Sequence, residues 1–327
     1  MKRKLLHWAA QFPLCVMLDS CGTEVDRYGE YDFLLGVGFG KGKKQIQTLE
    51  ELEADINAFP LDWRFGVMTY DLKNEVEPKL STRTEAAVPF PGLQMFVPDV
   101  VVAKPRGKDV LHFEKGFSRA MYHVIAQQPI RPPAVTGFSG FTSNFSRPDY
   151  LRTIDRLRAH IRDGDCYEIN LTQNFTADAQ IAAPAALYEE LAALSPVPFA
   201  GYARFGHIHL LCASPERFLQ LKSGRLLTQP IKGTAPRGTT PEADATLAAN
   251  LRASHKEQAE NVMIVDLSRN DLYKSAEVDS VEVPDLFEVQ TFPQVHHLVS
   301  TITAQRLERR ARDDVIVGTA DDRETIT

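Results

Sequence analysis

Residues 199–236 run FAGYARFGHIHLLCASPERFLQLKSGRLLTQPIKGTAP, and this stretch decides the fold class. Two apolar runs, Phe199–Phe205 and Ile208–Ala213, flank a turn at Gly206, and a second hairpin turns at Ser223-Gly224. Hairpins pair strands antiparallel, so a regular parallel βαβ winding is excluded here. Working outward, Ser146 caps a helix with Pro148 in its first turn. Leu151, Ile154, Leu157 and Ile161 recur along it, and Gly164 ends it. The alternation Tyr167 to Thr172 predicts a strand, and Pro184 opens a helix through Leu194. Helices are expected around Glu242–Ala253 and Lys256–Leu267, before a strand-rich stretch from Val281 to Thr303. The class is mixed α/β (α+β) with antiparallel sheets. Its regions are an N-terminal part at 1–126, a Pro/Gly/Ser-rich connection at 127–147, a main region at 148–305 and a divergent tail at 306–327.

Composition excludes several functions. The chain has 327 residues, 43% of them hydrophobic, and 37 Lys and Arg against 43 Asp and Glu leave a net charge of −6. That balance is globular and lacks the basic surplus of a nucleic-acid binder. Cys15, Cys21, Cys166 and Cys212 are scattered, without the spacing of a zinc site or a disulfide framework. The basic, apolar opening is interrupted by His7, Gln11 and Pro13, which argues against a signal peptide. With no run of about 18 apolar residues, a cytoplasmic protein without membrane association is expected. The glycines at 36, 38, 40 and 42 lack a phosphate-loop spacing and are expected in flexible turns after a strand.

Five positions invite chemistry. Lys232 follows an apolar run and precedes Gly233; among apolar groups its amine would serve as nucleophile or base, and at a strand end it would simply reach water. Glu216 should lie on the strand next to Lys232, either as an acid–base partner or as half of a structural ion pair. Ser254 and Glu257 have the capping-box spacing. Along the helix they start, Glu260 shares a face with Met263, Ile264 and Leu267. A carboxylate on such a face either pairs with an arginine or binds a hard cation such as Mg²⁺. His296 and His297 are strand neighbours pointing to opposite faces, so at most one enters a site.

Together these segments resemble the chorismate-utilising enzymes, the family that includes the component I proteins of anthranilate and aminodeoxychorismate synthesis. The resemblance rests on Asp165–Leu171, Ser214–Phe218, Pro230–Thr234, Ala259–Asp271 and Val295–Ser300 in one order. It covers Ser146–Gln305 closely and extends loosely to Leu18-Asp19-Ser20. It implies two antiparallel sheets packed as a sandwich with helices outside. The anthranilate branch carries alanine where this chain has Lys232, so the resemblance favours the aminodeoxychorismate branch, with the anthranilate activity as an alternative. In that branch the lysine attacks chorismate at C2 and displaces the C4 hydroxyl, and ammonia then adds at C4 to release it.

By the same resemblance Glu216 is the general acid, and Gly233, Thr234 and His297 contact substrate. Glu260 is a magnesium ligand, and Ser20, Pro198, Phe199 and Ala200 wall a tryptophan pocket. The ammonia is expected from a separate glutamine amidotransferase subunit, because none of the four cysteines sits in a G-x-C-x-G elbow. The family's later segments, including a late magnesium glutamate, have no counterpart in Arg306–Thr327, and Tyr273 replaces a small residue. A C-terminally truncated chain is expected on that basis, with an inactive remnant or a partner-binding module as the other function class. Exposed apolar surface and unpaired sheet edges should accompany it.

Overall fold

The computed structural model describes residues 1–40, 45–77, 79, 88–116 and 118–307. Most of the divergent tail, from 308 onward, and Gly42 lie outside the described residues.

A six-stranded antiparallel sheet runs in the order Ile208–Ser214, Phe199–Phe205, Leu14–Asp19, Tyr31–Gly38, Val100–Pro105, His112–Lys115. Leu14–Asp19 lies between Phe199–Phe205 and Tyr31–Gly38, with Met17 opposite both Tyr202 and Leu35. The regions before and after the Pro-rich connection therefore share one sheet. Strand alternation sends Cys15 and Met17 to one face and Leu14 and Val16 to the other. The first face packs with Leu5, Trp8, Ile125 and Tyr188 from the helices Lys2–Ala9, Arg119–Ala126 and Pro184–Leu194. The second packs with Phe65 and Phe96 of a three-stranded sheet. That packing corrects the expectation for Gly36 and Gly38. Both lie inside Tyr31–Gly38, and a Cβ on Gly36 would stand 2.5 Å from the Phe65 ring. Gly40 alone among the described members of the run has a turn conformation, with φ of 83°.

A five-stranded antiparallel sheet holds the rest. Its spine is Val295–Gln305, whose one edge takes Arg225–Gln229 and then Ile231–Pro236, and whose other edge takes Glu282–Thr291. Arg217–Lys222 pairs outside Arg225–Gln229 through the turn at Ser223-Gly224, where both residues have positive φ, 49° and 79°. The helix His255–Ser275 covers this sheet: Val265 and Leu272 pack with Leu226, Ile302 and Ala304. Only Pro215 and Glu216 separate the edge strand Ile208–Ser214 of the larger sheet from the edge strand Arg217–Lys222 of the smaller. Glu216 thus sits at the seam between the two sheets.

Two expectations fare differently between 127 and 182. The helix forms over Arg147–Asp163, with Ser146 Oγ accepting from the Asp149 N–H and Gly164 left-handed at φ 83°. No residue of it is buried. The predicted strand at 167–172 does not form: those residues make no ladder, and Tyr167 is 87% exposed. Alternation supplies a strand's side chains but not its partner, and a strand without a neighbour has no ladder to join. Here only two-residue ladders occur, Val135–Thr136 with Gln180–Ile181 and Thr142–Ser143 with Phe175–Thr176.

Candidate active site

Lys232 lies on Ile231–Pro236, whose register against the spine slips between Ile231 and Thr234. A bulge turns the side chains around it, and a lysine there can leave the plane of its ladder. Gly233 sits in the bulge at φ +95°, a conformation that favours glycine. A Cβ there would also stand 3.0 Å from Glu257 Oε2 and 3.3 Å from Leu298 Cβ. The close approach that needs this glycine is that of the helix His255–Ser275.

The Lys232 ammonium donates to Glu168 Oε1 at 2.6 Å, and the two side chains are 15% and 18% exposed. Its surroundings are therefore ionic, where the sequence suggested apolar neighbours. Glu216 does lie beside this strand. Its Oε1 accepts the backbone N–H of Ile231, one residue before Lys232, at 3.1 Å. The hairpin turning at Ser223-Gly224 closes this loop, with Arg217 opposite Gln229.

Thr234 is opposite His297 across the ladder, and its Oγ1 is 2.9 Å from His297 Nδ1. Burial pushes the His297 imidazole below its ordinary range, while a hydrogen bond with the Gly233 backbone acts the other way. A neutral ring at neutral pH follows. The structure therefore brings Gly233, Thr234 and His297 together, on the strand that carries Lys232. His296 faces away: its Nε2 is 2.9 Å from Asp244 Oδ1 and its Nδ1 2.9 Å from Thr291 Oγ1. Asp244 also accepts from Arg237 Nε and Nη2 and from the Gly238 N–H, and the Arg237 hydrogen bond leads in holding its carboxyl far below the usual range. This second cluster ties helix Pro241–Ala253 to the sheet.

Glu260 departs from its expected position. The buried stripe of its helix is Asn261, Ile264, Val265 and Leu272, one position round from the face read in the sequence. Asn261 takes the inward position because its amide is satisfied there, donating to Leu298 O at 3.3 Å and accepting from Ser300 Oγ at 2.6 Å. Glu260, 39% exposed, pairs with Lys256 at 3.0 Å. Glu257 pairs with the same ammonium at 3.1 Å. Its backbone N–H reaches Ser254 Oγ at 3.4 Å, so the expected cap forms at the helix start. Magnesium commonly takes one or two protein carboxylates and keeps water, and Glu257 and Glu260 are donors of that type on adjacent turns. Among the described residues no three acidic, histidine or cysteine side chains converge as a metal cluster.

The residues expected around tryptophan lie at the far end of Leu14–Asp19. Asp19 is opposite Ala200, and Ser20 is buried with its Oγ unpartnered among the described residues. Pro198 is buried, and the Arg217 guanidinium stacks 4.8 Å from the Phe199 ring centre. Asp19 itself holds Lys2 at 2.7 Å and accepts from the Tyr188 hydroxyl at 3.2 Å. A cavity of about 530 Å³ opens beside Asp19, lined by Lys2, Phe33, Lys104 and Tyr122 among others; Ser20, Pro198, Phe199 and Ala200 are not among its walls.

A family profile described as chorismate binding enzyme matches residues 24–316. The chain belongs to this family. It is 37% identical over 243 residues to aminodeoxychorismate synthase component 1 of Klebsiella aerogenes, covering 73% of this chain and 53% of that protein. It is 44% identical over 189 residues to the component 1 protein of Salmonella typhimurium, covering 57% and 41%. The chain thus spans about half the length of the relatives it matches. Among solved structures, anthranilate synthase component I of Streptococcus pneumoniae superposes with a TM-score of 0.66 at 25% identity, over 79% of this chain and 60% of that one. Those likenesses bear out the mixed fold with antiparallel sheets. Among the described residues no helix is long and apolar enough to cross a membrane.

Glu168 and Glu257 are the site residues that sequence reasoning missed. Glu168 stood in the quoted motif Asp165–Leu171 as one polar member of an alternation with Asn170 and Thr172, and nothing local set it apart from them. Glu257 had already been assigned to the cap.

Proposed function

We propose that this chorismate-binding chain is an aminodeoxychorismate synthase component, converting chorismate and ammonia to 4-amino-4-deoxychorismate. The observation that carries the reading is Lys232: a largely buried lysine on a bulge, with Glu216 bonded to the backbone N–H of the residue before it and Thr234 and His297 on the same ladder. Lys232 as a free amine forms a bond to C2 of the ring, the ring double bonds shift, and the C4 hydroxyl leaves as water with a proton from Glu216. Ammonia then bonds at C4, the C2–nitrogen bond breaks to return Lys232, and Glu216 recovers a proton from the new ammonium. Neutral His297 and Thr234 orient the ring as hydrogen-bond partners, and Gly233 permits the bulge that sets Lys232 beside them.

Glu260, with Glu257 beside it, would hold Mg²⁺, which when bound offsets the charge of a substrate carboxylate. The ammonia comes from a glutamine amidotransferase partner, in keeping with the component 1 naming of the relatives. Ser20 and the Pro198–Ala200 stretch form a tryptophan subsite, and titration calorimetry with tryptophan tests that assignment separately.

The test of the function is product analysis with chorismate and ammonium salts. The 4-amino product should appear with ammonium, and glutamine alone should give none. Formation of anthranilate instead would assign the other branch, and no chorismate consumption under any nitrogen source would overturn the reading.

A further inference from the structure

The mechanism above leaves one proton unassigned and one carboxylate unused. Lys232 rests as an ammonium against Glu168, and an ammonium has no lone pair with which to attack carbon. Glu168 Oε1, at 2.6 Å, is in position to take the proton directly. The other oxygen, Oε2, is buried without a hydrogen-bond partner among the described residues. An unsatisfied buried carboxylate oxygen is costly, and such groups are retained where they act. The segment that carries Glu168 joins no ladder among the described residues, and the Lys232–Glu168 pair links it to the five-stranded sheet. The remaining titratable groups around the pair come from three elements. Glu216 is bonded to the Ile231 N–H, Glu257 lies against Gly233 with Lys256 beside it, and His297 faces Thr234. Glu168, by contrast, is set directly on the Lys232 nitrogen.

We propose that Glu168 is the positioning residue and proton acceptor for Lys232, holding its ammonium in the cleft and taking one proton as the amine attacks. The proton balance closes. Lys232 and Glu168 pass from an ion pair to amine and carboxylic acid before C2–N bond formation, and the same proton returns to Lys232 when ammonia displaces it. Glu216 supplies and recovers the second proton, at C4. This inference rests on the function proposed above, and its test has one arm that does not.

In the first arm an amine-acylating reagent, N-hydroxysuccinimidyl acetate, is applied to the full chain across a pH series, and the peptide bearing Lys232 is quantified by mass spectrometry. Removing the carboxylate that holds the Lys232 ammonium in Glu168→Gln should raise the rate of Lys232 acylation by about tenfold or more, with Glu168→Asp close to wild type. An unchanged acylation rate overturns the proposal, whatever the chain catalyses. In the second arm, turnover of chorismate with ammonium salts is compared. Glu168→Gln should lose at least about tenfold in kcat with KM for chorismate little changed, and Glu168→Asp should recover part of it. An unchanged kcat in Glu168→Gln, alongside a dead Lys232→Ala, would overturn the proton-acceptor role. A fully active Lys232→Ala would instead remove the proposed function, while the acylation rate would still report the pair.

Discussion

Two helices of this chain carry similar promise in sequence and meet opposite fates. Arg147–Asp163 has a serine cap, a glycine stop and a regular apolar stripe, yet none of its residues is buried. His255–Ser275 has a weaker stripe and buries Asn261, Ile264, Val265 and Leu272 against the five-stranded sheet. The contrast extends to the neighbouring chain. No residue from 126 to 184 is buried, and Phe141 and Phe175 stand 71% and 62% exposed, whereas Val295–Gln305 is buried along most of its length. Caps and periodicity make a helix amphipathic; burial requires a surface to receive it. The candidate site joins the two regions, since Lys232 comes from the packed sheet and Glu168 from the exposed segment.

The contrast can be broken at several strengths. The largest expected effect is on chemistry. Lys232→Ala should lower amino transfer to chorismate by about 1,000-fold or more, whereas Leu151→Ala, on the exposed helix, should leave the rate nearly intact. Comparable losses in steady-state assays would mean that the exposed helix is part of the working site. Next comes stability. Ile264→Ala should cost about 2–5 kcal/mol, and Leu151→Ala less than about 0.5 kcal/mol, by urea denaturation. Equal costs would show that the Arg147–Asp163 stripe is buried after all.

A smaller effect sharpens the packed side. Gly233→Ala forces a Cβ toward Glu257 at positive φ and should cost about 1–3 kcal/mol, measured by the same denaturation. A neutral result would mean that the bulge can relax. The smallest effect is on pH. Burial lowers the His297 pKa, so the unfolded chain binds a proton there first as pH falls. Stability should be level above about pH 6.5 and decline below it, down to the lowered folded value. His297→Gln should flatten that decline, and an unaltered slope would deny the shift.

Much of the packed region was legible before the structure. Gly206, Ser223 and Gly224 marked the hairpins because turns need particular backbone conformations, and Ser146, Gly164 and Ser254 marked helix ends because caps satisfy particular N–H and C=O groups. What was illegible depended on partners distant in sequence. Tyr167–Thr172 alternates like a strand but finds no neighbour. Gly36 and Gly38 are strand residues because Phe65 and Phe96 press on them. In the site, the hairpin order placed Glu216 beside Lys232, whereas Gly233, Thr234 and His297 entered only through the family resemblance, and the ladder to Val295–Gln305 brings them together. Glu168 was missed because its contact with Lys232 spans 64 residues and no local pattern announces it. Glu260 was set on the wrong face because helical periodicity alone does not say that an asparagine with two partners can take the inward position.

The account turns on Lys232 as the residue that bonds to substrate. The most direct measurement is to incubate the chain with chorismate without a nitrogen source, quench in acid, digest, and map any added mass by tandem mass spectrometry. The account predicts a ring adduct, chorismate less water, on the peptide carrying Lys232 and its absence in Lys232→Ala. Chorismate turned over on addition of ammonium, with Lys232 unmodified and Lys232→Ala equally active, would contradict it.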